Sequence, residues 1–168
     1  MFRVTVKTNV KSVTPWRPLM RKLAKLGAGK SVKVGFPAGK VAGDVVTIAY
    51  WNHEGTNRAK GDVFFRNGKV GISGPIPPRP FITIVMFKHR AQFRSFMRAQ
   101  AKEILHGRSS FDQVLTKLGM MGQDAIQTTI TSGVGPPNSP MTIALKGSGK
   151  TLVDQGRMLQ SVTWALDN

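Results

Sequence analysis

Residues 75–105, PIPPRPFITIVMFKHRAQFRSFMRAQAKEIL, set the architecture that we expect for the chain. Four prolines within residues 74–80 fix the backbone and remove amide donors, so this segment is predicted to be extended and to lie outside any central strand. From Phe81 onward apolar residues recur with the period of a helix, which predicts one long helix over Phe81–Leu105. We expect Phe81 to be buried where the extended segment joins the helix. The predicted inward face consists of Ile82, Val85, Met86, Phe93, Phe96, Met97 and Ile104.

A second long helix is predicted directly after the first. Gly107 ends the first helix, and either Ser109 or Ser110 is suited to cap the next one. The helical pattern then continues over about Phe111–Thr131. Its predicted inward residues are Val114, Leu115, Leu118, Met121, Ala125, Ile126 and Ile130.

Short alternating segments around these helices predict a small antiparallel sheet. Strands are expected at Phe2–Lys7, Ser31–Phe36 and Val162–Leu166, and a hairpin at Val63–Ser73 turning at Asn67-Gly68. Short helices are expected after Pro18, near Met141–Leu145 and near Gln155–Ser161. The segment Val45–His53 fits either a strand or a short helix. The sequence therefore predicts an α+β fold, a small antiparallel sheet packed against two long helices in a single domain spanning residues 1–168.

The charge is large and unevenly distributed. The chain has 25 Lys and Arg against 8 Asp and Glu, a formal net charge of +17. Residues 1–43 form a strongly basic N-terminal region with ten basic residues and no acid, and residues 58–108 hold eleven basic and two acidic residues. Residues 109–168 are neutral, and residues 44–57 carry only Asp44 and Glu54 as charged residues. Such a surface either keeps copies apart in solution or meets a polyanion, most simply the backbone of nucleic acid.

Two groups of cations are candidates for that contact. Four of them recur every four residues along the first long helix and form what we call the basic stripe: Arg90, Arg94, Arg98 and Lys102. Like charges at this spacing repel each other, and no Glu compensates them, so the stripe is either a solvated helix face or a surface for a polyanion or an acidic partner. The second group, the N-terminal basic cluster, is Arg17, Arg21, Lys22 and Lys25. Binding through such groups contacts the phosphate backbone without selecting a sequence.

Residue patterns argue against catalysis. The segment GSGKT at 147–151 resembles part of a P-loop, but Ala144 stands where that motif requires glycine. His53-Glu54 lacks the second histidine of a zinc-protease motif, because position 57 is Asn. With no Cys and only scattered carboxylates, we expect no enzymatic activity, no cofactor and no metal. The alternating N-terminus lacks the apolar core of a secretion signal, and no apolar stretch approaches the roughly 20 residues that a membrane span needs.

Three segments together resemble one protein family. These are PPNSPMTIALKGSGK at 136–150, continued by LVDQGRMLQSV at 152–162, then IAYWNHEGT at 48–56 and PPRPF at 77–81. Their content and order are similar to the virion-morphogenesis family of tailed bacteriophages, the tail-completion and neck proteins, over about residues 32–166. Gln155 departs from the threonine usual in that family. The family's segment at 48–56 is commonly helical, which favours a helix over Val45–His53.

The resemblance implies a structural virion protein of the head–tail junction. It would form a homo-oligomeric ring, sixfold by resemblance, around the DNA channel and help to join tail to head. Its neighbours would be the head-closure protein and the tail terminator. It would contact the genome DNA non-specifically, through the phosphates. Its location would be the neck of the virion, after assembly in the host cytoplasm, with no membrane partner. The alternatives are the tail terminator itself and a cellular sequence-independent nucleic-acid-binding protein.

Six residues of the resembling segments are assigned structural roles. Pro78, Arg79, Pro80 and Phe81 would direct the long helix toward the sheet. Asp154 would act as a helix cap, and Gly156 would form a tight turn that places Met158 and Val162 for packing.

Overall fold

The computed structural model describes residues 2–4, 18, 21, 24, 25, 27–57, 63–66, 69–72 and 74–167. Its strands are β1 (Phe2–Val4), β2 (Ser31–Gly35), β3 (Val63–Arg66), β4 (Lys69–Ile72) and β5 (Thr163–Asp167). Its helices are α1 (Gly43–Glu54), α2 (Phe81–Leu105), α3 (Phe111–Ser132), α4 (Pro140–Lys146) and α5 (Arg157–Gln160). The predicted α+β class, an antiparallel sheet packed with long helices, is confirmed.

The main sheet is antiparallel, with β2 in the centre and β1 and β5 on either side. Val34 of β2 stands opposite Phe2 on one side and Trp164 on the other. Strands β3 and β4 form a separate hairpin in which Arg66 pairs with Lys69. The hairpin prediction is thus confirmed, while its turn at Asn67-Gly68 lies outside the described residues, as do residues 5–7 of the first predicted strand.

The two long helices begin and end close to their predicted bounds. Helix α2 has the predicted range, and α3 extends one residue beyond it. The cap of α3 is Ser110, whose hydroxyl accepts from the Gln113 amide at 3.2 Å while the Gln113 side chain accepts from the Ser110 amide at 2.9 Å. This reciprocal pair satisfies two donors that the first turn would leave free. The ambiguous segment 45–53 lies within helix α1.

Helix α3 packs across the sheet, and α2 packs against α3. The core joins Val32 of β2, Leu115 and Ile130 of α3, and Phe81 and Val85 of α2, all at most 2% exposed. Two buried glycines let α3 approach the sheet. A Cβ at Gly119 would lie 2.8 Å from the Trp164 ring, and one at Gly122 would lie 3.2 Å from Val34.

Candidate functional site

The basic stripe lies on the exposed side of α2. Arg90, Arg94, Arg98 and Lys102 are all exposed, as the inward pattern of α2 predicts. Successive members are one turn apart and drift by about 40° around the axis, so the stripe runs about 18 Å along the helix. The buried residues of α2 are Phe81, Val85, Phe93 and Ile104, and the stripe side chains are therefore free to reach a ligand.

Four described carboxylates form ion pairs with cations outside the stripe. No stripe residue forms an ion pair with a described carboxylate, although Glu103 follows Lys102 in sequence. Arg108 donates to both oxygens of Glu103, at 2.7 and 2.9 Å, and these bonds hold the pKa of that carboxyl below its usual range. Among the described residues, ion pairs also join Lys30 to Asp112, Lys33 to Asp167 and Arg157 to Asp44. None of the described ion pairs includes a residue of the stripe.

The N-terminal basic cluster is described at two of its four positions. Arg21 and Lys25 are helical and exposed, and Pro18 and Ala24 are helical too. Arg17 and Lys22 lie outside the described residues. The predicted helix after Pro18 is thus supported at four positions, and its role toward DNA stays a prediction.

Arg79 joins all three segments that carry the family resemblance. Its backbone amide donates to the Asn52 carbonyl at 2.8 Å, which ties the extended segment 74–80 to the end of α1. Its guanidinium donates from Nε to the Pro136 carbonyl at 2.9 Å and from Nη2 to the Pro137 carbonyl and to Asn138 Oδ1 at 3.4 and 3.3 Å. We call this arrangement the Arg79 junction. Segments that are far apart in sequence therefore meet at one side chain.

The Arg79 guanidinium is buried without an ion-pair partner among the described carboxylates. The residue is 5% exposed, and burial lowers the pKa of its side chain from the usual value. Its acceptors are two carbonyls and an amide, which supply dipoles in place of a counterion. In turn, Asn138 donates to the Lys150 carbonyl at 3.0 Å and so holds the loop after α4. The sequence marked Arg79 as structural but gave no sign of these acceptors.

Phe81 is fully buried, as predicted, at the start of α2. Its ring meets Phe36 edge-on at 6.3 Å and the His53 ring edge-on at 5.3 Å. His53 Nε2 lies 3.3 Å from Thr83 Oγ1, whereas its Nδ1 is buried with no hydrogen-bond partner among the described residues. Burial lowers the pKa of His53, more strongly than neighbouring Glu54 raises it. The imidazole is therefore neutral at pH 7 and serves as a packing group.

The cap predicted at Asp154 is wrong. Helix α5 covers only Arg157–Gln160, shorter than predicted, so its N-cap position is Gly156, which has no side chain to make a cap hydrogen bond. Gly156 has φ +76°, a left-handed conformation that glycine adopts without strain, which confirms the tight turn. Met158 and Val162 are buried on the far side of that turn, at 6% and 1% exposure.

The KGSGK loop at 146–150 closes on itself. Lys146 Nζ donates to the Lys150 carbonyl at 2.8 Å, and the Lys150 amide donates to Ser148 Oγ at 3.2 Å. The loop follows helix α4 rather than a strand, and the next helix begins only at Arg157. A P-loop is flanked by a strand and a long helix, so this geometry is that of a different turn.

A groove of about 880 Å³ lies beside the connection from α2 to α3. Its charged lining includes Glu103, Arg108 and Asp112, which already form ion pairs. Over the described residues, no three His, Asp or Glu side chains are grouped to hold a metal ion, and no described helix is long and apolar enough to cross a bilayer. The basic stripe is therefore the strongest candidate interface.

Comparison with known proteins gave no matching family model, no match among proteins with curated functions and no matching solved structure. The assignment to the phage neck family therefore stays a prediction from the three resembling segments.

Proposed function

We propose that the protein is a structural component of the neck of a tailed bacteriophage. Copies of it form a ring around the DNA channel, meet the head-closure protein and the tail terminator, and help to join tail to head. It assembles in the host cytoplasm, resides in the virion and acts by binding rather than by catalysis. The observation that carries the proposal is the exposed basic stripe on α2, which forms no ion pair among the described residues.

A neck ring requires that kind of surface. The genome passes through its channel as a dense array of phosphates, and the protein must hold that charge without selecting a sequence. Four cations spaced along about 18 Å of helix cover several successive phosphates of a duplex. Between Arg90 and Lys102 neither phenylalanine is exposed for stacking on single-stranded bases, since Phe93 is buried and Phe96 is half-buried.

The Arg79 junction supports the same proposal in another way. The resemblance rests on three short segments separated in sequence, and hydrogen bonds of Arg79 bring them to one place. Residues that serve one structural purpose are expected to recur together in a family. The junction thus gives a physical reason for the pattern on which the family assignment depends.

Duplex DNA binding tests the role of the stripe. The variant Arg90→Gln, Arg94→Gln, Arg98→Gln, Lys102→Gln should bind more weakly to duplexes of unrelated sequence. Its slope of log affinity against log salt should fall by roughly one unit for each phosphate that the protein ceases to neutralise. The matched control replaces four exposed cations outside the stripe: Lys40→Gln, Arg108→Gln, Lys117→Gln and Arg157→Gln. An equal reduction of affinity in both variants would show that net charge, and not the stripe, governs binding.

Two further observations separate the alternatives. Genes for portal, capsid and tail-tube proteins beside this gene would favour the phage neck over a cellular nucleic-acid-binding protein. Electron microscopy of assembled necks would show whether the ring lies at the tail-completion or the terminator level. A stripe on the outer wall of that ring would contradict its contact with the channel.

A further inference from the structure

The exposed large apolar side chains are concentrated on three elements. Among the described residues seven are exposed, and only Met120 lies elsewhere, on α3. Phe87 on α2 is 87% exposed and Tyr50 on α1 is 63% exposed. The six on α1, the second turn of α2 and α4 are Ile48, Tyr50, Trp51, Phe87, Met141 and Ile143. Exposed apolar side chains that pack side by side mark binding surfaces.

Hydrogen bonds join α1 to α2, and join the segment before α2 to the segment before α4. The contact between Thr83 Oγ1 and His53 Nε2 places the first turn of α2 beside the last turn of α1. Phe87 lies one turn beyond Thr83 on the same side of α2, and Tyr50 lies one turn before His53 on α1. Helix α4 begins two residues after Asn138, which is bonded to Arg79. The exposed apolar side chains form two parts, one on α1 and the start of α2 and one on α4, and together we call them the α1–α4 surface.

Helix α4 contacts strand β4 but buries little of its own surface. It has seven residues, and none of them is buried. Isolated helices of this length are unstable in water, and in proteins they gain stability by burying an apolar face. Here Met141 is 47% exposed and Ile143 is 39% exposed, so the apolar side of α4 is largely uncovered.

Charge indicates what covers this surface. Most of a chain with net charge +17 repels a second copy of itself, but residues 44–57 hold two acids and no Lys or Arg. The Glu54 side chain is 58% exposed beside the neutral His53 ring. Helix α4 has the opposite sign, because Lys146 ends it and Lys150 follows in the adjoining loop. The two parts of the α1–α4 surface are therefore complementary to each other in charge and alike in apolar character.

We propose that the α1–α4 surface is the contact between copies of this chain, with α1 of one copy packed against α4 of a second copy. Tyr50 and Phe87 would be its aromatic anchors, and Glu54 would face the lysines that flank α4. A contact between two different faces repeats from copy to copy and can close into a ring. The inference deepens the proposed function, on which it rests for the ring, by naming the surface that would hold the ring together.

Sedimentation of the full chain without DNA tests the contact. The wild-type protein should form oligomers, and Tyr50→Ser combined with Phe87→Ser should raise the dissociation constant by roughly 30-fold or more, the effect of removing an aromatic anchor. Met120→Ser is the matched control, since it removes an exposed apolar side chain on α3 and should leave assembly unchanged. Circular dichroism would verify that every variant is folded.

Charge reversal tests which faces meet. Glu54→Lys and Lys150→Glu should each weaken assembly, and the double variant should recover part of the affinity between copies. A wild-type chain that stays monomeric, or an equal effect of Met120→Ser, would overturn the inference. An absence of rescue would overturn the pairing of α1 with α4. Oligomers that form through this surface but do not bind DNA would support the inference and contradict the proposed function. Monomers that bind DNA through the stripe would contradict the inference and support the proposed function.

Discussion

Arg79 Nε donates to the Pro136 carbonyl oxygen at 2.9 Å and so bridges two segments separated by 57 positions in the sequence. The same guanidinium reaches Asn138, whose amide group holds the Lys150 carbonyl. One buried cation thus orders the start of α2, the loop before α4 and the loop after it.

Replacement of Arg79 should therefore destabilise the fold. We expect Arg79→Ala to cost about 2–4 kcal/mol in the free energy of unfolding, since the hydrogen bonds of a buried guanidinium to two carbonyls and an amide are lost. Arg79→Lys should be almost as harmful, because a single ammonium group cannot reproduce the directed Nε and Nη2 bonds. Denaturant titration measures the change, and hydrogen exchange should show faster opening of residues 133–139. The exposed Arg90→Ala is the control and should change stability by less than about 0.5 kcal/mol.

Phe81 and Phe87 offer a matched pair on one helix. Phe81 is fully buried and Phe87 is 87% exposed. Phe81→Ala should cost about 3–5 kcal/mol and give poorly soluble protein, because it leaves a cavity between the rings of Phe36 and His53. Phe87→Ala should leave the stability of the monomer nearly unchanged when measured at a dilution that prevents assembly. A wild-type melting curve for Phe81→Ala would refute the packing argument.

His53 should make stability depend on pH below neutrality. Its pKa in the folded chain is lowered from the usual 6.5 by burial, so below that pH the unfolded chain binds more protons than the folded chain. Stability is consequently lost as pH falls from 6.5 toward the lower folded pKa, and it does not change on this account above 6.5. The melting temperature of the wild type should fall more between about pH 7 and pH 5 than that of His53→Gln. The exposed His106→Gln is the control, and it should retain the wild-type slope.

Gly119 should resist replacement although it lies within a helix. Alanine would gain about 1 kcal/mol in helix propensity. Its Cβ would, however, stand 2.8 Å from the ring of Trp164 and 3.1 Å from the Trp164 Cβ, too close to be relieved by rotation at the far end of the side chain. We expect Gly119→Ala to be destabilising by about 1–3 kcal/mol in chemical denaturation. Combining it with Trp164→Leu should recover part of that stability, and a stabilised Gly119→Ala would contradict the close approach of α3 to β5.

Periodic patterns were sufficient to predict the long elements. The apolar spacing after Phe81 and the Ser110 cap depend on local rules, and the structure agrees with both. The alternation of Val32, Val34 and Phe36 likewise predicted a buried strand. Contacts made by small or polar side chains were missed, because Gly119 has no hydrophobic signal and the acceptors of Arg79 are backbone carbonyls.

The candidate site was predicted only in part, because the sequence pattern locates exposed charges but not exposed apolar side chains. The exposed position of the basic stripe follows from the opposite, apolar face of α2, so the sequence could place it. The exposure of Tyr50 and Phe87 could not be predicted, since an apolar residue is expected inside until its neighbours are known. Asp154 was assigned as a cap because α5 was expected to begin near Gln155. The helix begins two residues later, at Arg157, so its N-cap position is Gly156.

The position of β5 imposes an order on folding. Its partner β2 is made early in translation, yet β5 follows the described helices α1–α5 in the chain, so β2 receives β5 only after they have been synthesised. Pairing of strands so far apart in sequence is slow, because the entropy cost of closing the intervening loop comes before any stabilising contact forms. Until Trp164 is made, the part of α3 around Gly119 remains uncovered in the nascent chain and is open to chaperones or to aggregation. The main sheet is thus completed only after most of the chain has been synthesised. A chain interrupted before residue 163 would lack β5 and so would not form the native three-stranded sheet.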